Sequence, residues 1–244
     1  GIAALGVEIS PLMAFVARAK VRPWRASELE RMLRGLRLPG PRAGAADAGA
    51  GVFSDYLDKA FAPAVLRQLR ALAAHIADGA GLPPRQRAFM QLALISIMEQ
   101  VSQIRKHGSH YRYMLKSENA GLQKLNIAVA DPATDVRRVL LQRARQMIAD
   151  VRATRLPRPL ASCDVVEADV RRLDLPRRSV GAVITSPPYL NRNNYIAQQK
   201  AELDVLELVE TREQYRELVR STLRSHVEAD LQPRAESRFP EVRA

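Results

Sequence analysis

Four consecutive residues, Ser186-Pro187-Pro188-Tyr189, bring together a hydroxyl, a stiff backbone with a free carbonyl, and an aromatic plate. Those parts suit the gripping of a planar base by its exocyclic amine. Such an amine on cytosine or adenine is a poor nucleophile, because its lone pair is delocalised into the ring. Acceptors placed out of the ring plane hold its N–H groups and return lone-pair density to nitrogen. Ser186 Oγ and the Pro187 carbonyl can be those acceptors, and the double proline fixes φ so that the carbonyl is pre-organised. Tyr189 can stack on a base flipped out of a duplex. Flipping costs a few kcal/mol, and stacking on an aromatic returns about 1–3 kcal/mol. Ser186, Pro187, Pro188 and Tyr189 are therefore the candidate catalytic set. The plain alternative is a rigid Pro-Pro turn beside a half-buried tyrosine.

The element that positions this set is the apolar run Val180 to Ile184, which reads as a buried strand that the prolines must end. Two further segments end in the same manner. Ile2 to Ile9 reads as a buried strand carrying Glu8 at its end, and Ser10-Pro11 then supplies an N-cap and a first-turn proline. Leu12, Phe15 and Val16 continue with helical spacing through Lys20. Cys163 to Val166 is again strand-like and runs into Glu167-Ala168-Asp169. In open α/β sheets, ligands bind at the C-terminal strand ends. There Glu8 can accept both ribose hydroxyls of an adenosine, and Asp169 can accept from the adenine amino group. Either acid alone is equally a helix cap or a solvated loop residue. Asn191 and Asn194 are weaker candidates for the same pocket.

Between these strands the pattern is helical. Ser27-x-x-Glu30 reads as a capping box, and residues 40–51 as a flexible Gly/Ala loop. Pro63 opens a helix to Asp78 that Gly79 stops, with Val65, Leu66, Leu69, Leu72 and Ile76 on one face. Pro84 to Lys106 is apolar nearly all round and reads as a central helix. Asp131-Pro132 starts another, whose outer face carries Arg137, Arg138 and Arg145. Lys200 to Asp230 reads as helical, and the polar stretch after Leu231 as a frayed end.

Composition bounds the partners. Thirty-eight Lys and Arg against 26 Asp and Glu leave a net charge of +12, which favours polyanions, nucleic acid ahead of a membrane surface. A solvated basic surface is the alternative. Arg105-Lys106-His107 with His110-Tyr111-Arg112-Tyr113 interleaves cations and aromatics as a DNA backbone contact does, or as a charged loop does. Cys163 is the sole cysteine, so no disulfide framework and no cysteine zinc site exist, in keeping with a cytoplasmic location. The four histidines lack metal-ligand spacing, so no metal is expected. No apolar stretch is long enough to span a bilayer, and no membrane partner is expected. Nothing in the pattern reports the oligomeric state.

Thr185-Ser186-Pro187-Pro188-Tyr189 resembles motif IV of the S-adenosylmethionine-dependent DNA amino-methyltransferases, which modify N4 of cytosine or N6 of adenine. Gly6-Val7-Glu8-Ile9-Ser10-Pro11 resembles the family's segment after its second strand, and Ala168-Asp169 the segment whose acid meets the cofactor adenine. Ile97-Met98-Glu99-Gln100-Val101-Ser102 and His110-Tyr111-Arg112-Tyr113 resemble an insertion of some bacterial members. The resemblance implies an α/β fold: a partial Rossmann-like methyltransferase sheet interrupted by a large helical insertion. It divides the chain into core (1–22), insertion (23–160), core with the motif (161–200) and a helical C-terminal segment (201–244). It also implies S-adenosylmethionine as methyl donor, DNA as partner, Glu8 and Asp169 on the cofactor, and a role in DNA methylation linked to restriction or regulation. Serine at the first motif position favours N4 of cytosine. The family's Phe-x-Gly-x-Gly loop is absent, and its place is upstream of Gly1. With its strand missing between those ending at Glu8 and Ile184, the chain reads as truncated and inactive alone. Methylation of RNA or of a protein amide, and a non-catalytic nucleic-acid-binding protein with a degenerate core, are the competing readings.

Overall fold

A computed structural model describes residues 2–41, 51–107, 110–113, 131–154, 162–186 and 194–222. Its elements are β1 (Ala4–Glu8), α1 (Pro11–Val21), α2 (Ala26–Gly35), α3 (Ser54–Ala60), α4 (Pro63–Ala74), α5 (Pro84–Ile97), β2 (Ile104–His107), β3 (His110–Tyr113), α6 (Val136–Ala153), β4 (Cys163–Glu167), α7 (Lys200–Val205) and α8 (Arg212–Ser221). The fold is mixed helix and sheet, with a small parallel pair β1–β4 and an antiparallel hairpin β2–β3.

The helical block owns most of the core. Leu57, Leu69, Phe89, Leu94, Ile97 and Leu140 are almost wholly buried in one cluster drawn from α3, α4, α5 and α6. Pro63 and Pro84 each sit in the first turn of their helix, where the missing N–H costs nothing. α4 widens into a π-helical turn over His75–Gly79, close to the expected stop. Buried Gln68 joins two helices: its Oε1 accepts from the Val136 backbone N–H at 3.0 Å, and its Nε2 donates to the Thr134 carbonyl at 3.1 Å.

Several boundaries differ from the sequence reading. Ser27-x-x-Glu30 forms no capping box, because the helix begins at Ala26 with Ser27 already inside it, and Glu30 is engaged by Arg152. The central helix stops at Ile97 rather than Lys106, and Ile104 to Tyr113 makes the hairpin. Ser102 Oγ, bonded to the Glu99 and Ile104 carbonyls, helps to fix that turn. The helix expected from Asp131-Pro132 starts at Val136, capped by the Asp135 carboxylate on the Arg138 N–H. The C-terminal helix is two short ones, α7 and α8. Residues 42–50, most of the expected Gly/Ala loop, lie outside the described residues, as does the segment after residue 222.

The largest correction concerns residues 180–184. The expected buried strand is not formed. Val180, Val183 and Ile184 are 53%, 79% and 99% exposed. A strand needs a neighbour to satisfy its backbone groups, and among the described residues none is presented to this segment. Among the described residues β1 pairs with β4 and with no other strand.

Asp204 of α7 locks the start of α3 to the block. Its Oδ2 accepts from the Phe53 N–H at 2.7 Å, and Arg70 Nη2 lies 3.8 Å from its Oδ1. A Cβ at residue 51 would collide with the Asp204 carboxylate, so the chain passes there as glycine. Burial pushes the Asp204 carboxyl above the usual range, against the Phe53 hydrogen bond and the Arg70 charge. A raised carboxylate pKa favours the folded state when protonated. Its contribution is therefore complete below the unfolded value and lost as pH rises through the folded one. Urea unfolding of wild type and Asp204→Asn between about pH 4 and 8 should show wild type gaining relative stability as pH falls. Asp204→Ala should cost about 1–3 kcal/mol near the acid end of that range, since the Phe53 N–H loses its acceptor, and less as pH rises.

Candidate functional site

β1 and β4 run side by side in register, Ala4 opposite Cys163 and Glu8 opposite Glu167. Gly6 permits close packing here, for a Cβ would approach Val165 Cγ2 to 3.2 Å. The ladder extends one step further, the Ala168 N–H donating to the Glu8 carbonyl at 3.0 Å. Glu8 and Asp169 thus emerge at one edge of one sheet, as the sequence predicts.

Glu8 leads straight into α1. Its Oε1 accepts from the Ser10 N–H at 3.0 Å, and its Oε2 makes no hydrogen bond among the described residues. Ser10, fully buried, caps α1 through the Met13 N–H (3.3 Å) and donates its hydroxyl proton to Gln199 Oε1 at 2.5 Å. Gln199 belongs to the stretch after the Ser-Pro-Pro-Tyr motif. A second small core made by Leu12, Phe53, Ile196, Leu203, Val209 and Val219 fastens that stretch to α1.

Asp169 caps a single 3-10 turn through the Arg171 N–H at 2.9 Å. The Arg171 guanidinium binds both carboxylate oxygens, Nε to Oδ1 at 2.9 Å and Nη2 to Oδ2 at 2.7 Å. That hydrogen-bonded guanidinium, more than the backbone N–H, holds the Asp169 carboxyl below the usual carboxylate range. Arg171 Nη2 also donates to the Ser221 carbonyl at 2.7 Å, tying down the end of α8. Asp169 is thus fixed as a carboxylate, and any amino donor must share it with Arg171.

Ser186 is exposed, and no hydrogen bond joins it to Glu8 or Asp169 among the described residues. Pro187, Pro188, Tyr189 and Asn191 lie outside the described residues. Asn194 Oδ1 accepts from the Ala197 N–H at 2.9 Å, capping the turn that leads to Gln199. Of the basic-aromatic hairpin, Lys106 is spent on buried Glu202 (2.5 Å) and Arg105 on the Glu99, Ser102 and Ile104 carbonyls. Those two cations serve the fold rather than a surface. Among the described residues no group of His, Cys, Asp and Glu is arranged to hold a metal, and no helix is long and apolar enough to cross a membrane.

A depression of about 260 Å³ opens beside the end of β4, lined by Pro11, Glu167, Glu207, Leu208, Val209 and Glu210 among others. Sequence reasoning missed it, because α7 ends in a Schellman turn without its usual glycine. The Leu208 N–H donates to the Leu203 carbonyl at 2.9 Å and the Glu207 N–H to the Asp204 carbonyl at 3.0 Å. Glu207 consequently carries φ of 52°. Glu207→Gly should stabilise the protein by about 0.5–1 kcal/mol, a Tm rise of about 1–4 °C, whereas Glu207→Ala should give no such gain. Thermal melts of the two variants decide it. Comparison with protein-family models, curated proteins and solved structures gives no match for this chain.

Proposed function

We propose that this chain belongs to an S-adenosylmethionine-dependent DNA amino-methyltransferase with a partial Rossmann-like sheet. The observation that carries the proposal is the pairing of β1 with β4, which sets Glu8 and Asp169 at one edge with the α1 N-terminus directly behind. What supports Glu8 as the partner of the donor's ribose is that its Oε2 lacks a hydrogen-bond partner among the described residues and that an acid at a strand's C-terminal end can hold a diol. Bound there, S-adenosylmethionine supplies an electrophilic sulfonium methyl group. Asp169, kept ionised by Arg171, accepts from the adenine amino group. Ser186 Oγ and the Pro187 carbonyl accept the N–H groups of the target amine and turn its lone pair out of the ring, while Tyr189 stacks on the base. Catalysis on this reading is positioning and polarisation: the amine's N–C bond would form as the donor's S–C bond breaks to leave a neutral thioether, and the surplus amine proton would pass to solvent.

The test is product analysis. The protein is incubated with methyl-labelled S-adenosylmethionine and unmethylated duplex DNA, and the DNA is digested to nucleosides. N4-methylcytosine is the expected product, and N6-methyladenine would keep the class and change the base. Label confined to RNA or protein would overturn the DNA assignment. Salt-dependent DNA binding with no calorimetric response to the donor would leave the non-catalytic binding protein.

A further inference from the structure

We infer that the groove between α2 and α6 is a docking surface for the phosphate backbone of duplex DNA. The inference rests on the nucleic-acid half of the reading above and is independent of methyl transfer. Arg138, Arg145 and Arg152 recur every seven residues along α6, close to two full turns, so they form one straight exposed row. At 1.5 Å per residue the row spans about 21 Å. α2 adds exposed Arg34 across the groove. The groove itself encloses about 320 Å³, with Leu33, Ile148 and Ala149 below and Arg34, Arg145 and Arg152 at its rim.

The chemistry favours phosphate. An apolar floor supports the aliphatic stems of the arginines and leaves their guanidinium forks outward. Each fork can bind a phosphate through two parallel hydrogen bonds. Duplex DNA carries one negative charge per about 1.7 Å of axis, so a row of this length faces an unbroken line of phosphates. Among the described residues Arg138 and Arg145 form no ion pair, unlike the cations of the hairpin. Among the described residues Glu30 is the one acid lining the groove, and it holds Arg152. A phosphate must compete with that exposed pair, which is weak in water.

The test is fluorescence anisotropy of the whole chain with a labelled duplex of about 20 base pairs, between about 50 and 200 mM salt. The triple variant Arg138→Gln, Arg145→Gln, Arg152→Gln is compared with Lys59→Gln, Arg67→Gln, Arg216→Gln, which removes equal charge from exposed positions on α3, α4 and α8. The groove variant should bind at least tenfold more weakly at low salt. Its log–log salt slope should flatten by about 0.9 for each phosphate no longer neutralised, and the control should change far less. Glu30→Gln should tighten binding by roughly two- to fivefold, because it releases Arg152. Equal weakening in both triple variants, with unchanged melting curves, would overturn the groove and leave DNA binding standing. Wild type with no salt-dependent binding would overturn the nucleic-acid reading itself. Loss of binding to phosphatidylserine vesicles with DNA binding intact would assign the face to a membrane and also overturn the inference.

Discussion

Ser186→Ala should lower kcat for methyl transfer to DNA by roughly 10²–10³-fold while leaving S-adenosylmethionine affinity unchanged. The magnitude is that of removing one pre-organised hydrogen-bonding group from the reacting centre. The side chain of Ser186 is exposed and makes no hydrogen bond to the sheet-edge acids among the described residues, so its removal leaves the fold intact. A rate loss would therefore report chemistry rather than unfolding. Glu8→Gln supplies the contrasting arm. Its amide keeps an acceptor for the Ser10 N–H but loses the charge that a ribose diol would meet, so the donor's Kd should rise by about 10- to 100-fold. At saturating donor, kcat should change little. Tyr189→Phe should retain most activity and Tyr189→Ala should lose it, since stacking needs the ring and not the hydroxyl. Single-turnover kinetics and calorimetry on the protein separate the effect on rate from the effect on donor binding. A Ser186→Ala variant with the wild-type rate would sink the proposed role of the motif.

What the sequence discloses here follows from how local each signal is. Ser10-Pro11 caps α1 as expected, because an N-cap and a first-turn proline act within three residues. The apolar face of α4 is equally plain, since burial imposes a 3.6-residue period on Val65, Leu66, Leu69 and Leu72. The Glu8 and Asp169 strand ends are legible for the same reason: a short apolar run followed by an acid and a turn. Their pairing is not local. Register between residues 4–8 and 163–167 spans the whole helical block, yet both ends fall together.

The failures are of the opposite kind. Val180 to Ile184 has the composition of a strand, but a strand is a relation between two chains of hydrogen bonds and not a property of five residues. Ser27-x-x-Glu30 matches the capping-box pattern, yet Glu30 is drawn to Arg152, 122 residues away. Thr211 instead forms a box with Gln214, its Oγ1 accepting from the Gln214 N–H at 3.1 Å. The Schellman turn at Glu207 is invisible in the sequence because its signal is normally a glycine. Arg171 is invisible because its partner lies two residues off on a turn that sequence spacing does not define.

The second large effect tests the link between the helical block and the sheet edge. Phe89 is 1% exposed in α5, and its ring meets that of Trp24 edge-on at 5.4 Å. Trp24 in turn donates its Nε1 proton to the Ala19 carbonyl near the end of α1, at 2.8 Å, and carries the Arg85 guanidinium over its face. α1 starts shortly after Glu8, and Arg18 Nε of the same helix donates to the Val165 carbonyl of β4 at 2.9 Å. The Phe89–Trp24 contact is therefore where the block grips the helix that holds the two strands. Phe89→Ala should cost about 3–5 kcal/mol, from reduced burial, the cavity left behind and the broken ring pair. Against a total stability on the order of 5–15 kcal/mol, that is enough to leave a large unfolded fraction at modest temperature. Phe89→Leu keeps most of the volume and should cost under about 2 kcal/mol. Urea unfolding monitored by Trp24, the sole tryptophan, reads both. A cost below about 1 kcal/mol in the alanine variant would show that α1 and the strand pair stand without the block. The expected destabilisation, with the fluorescence of Trp24 and far-ultraviolet dichroism falling together, would make block and sheet edge one cooperative unit.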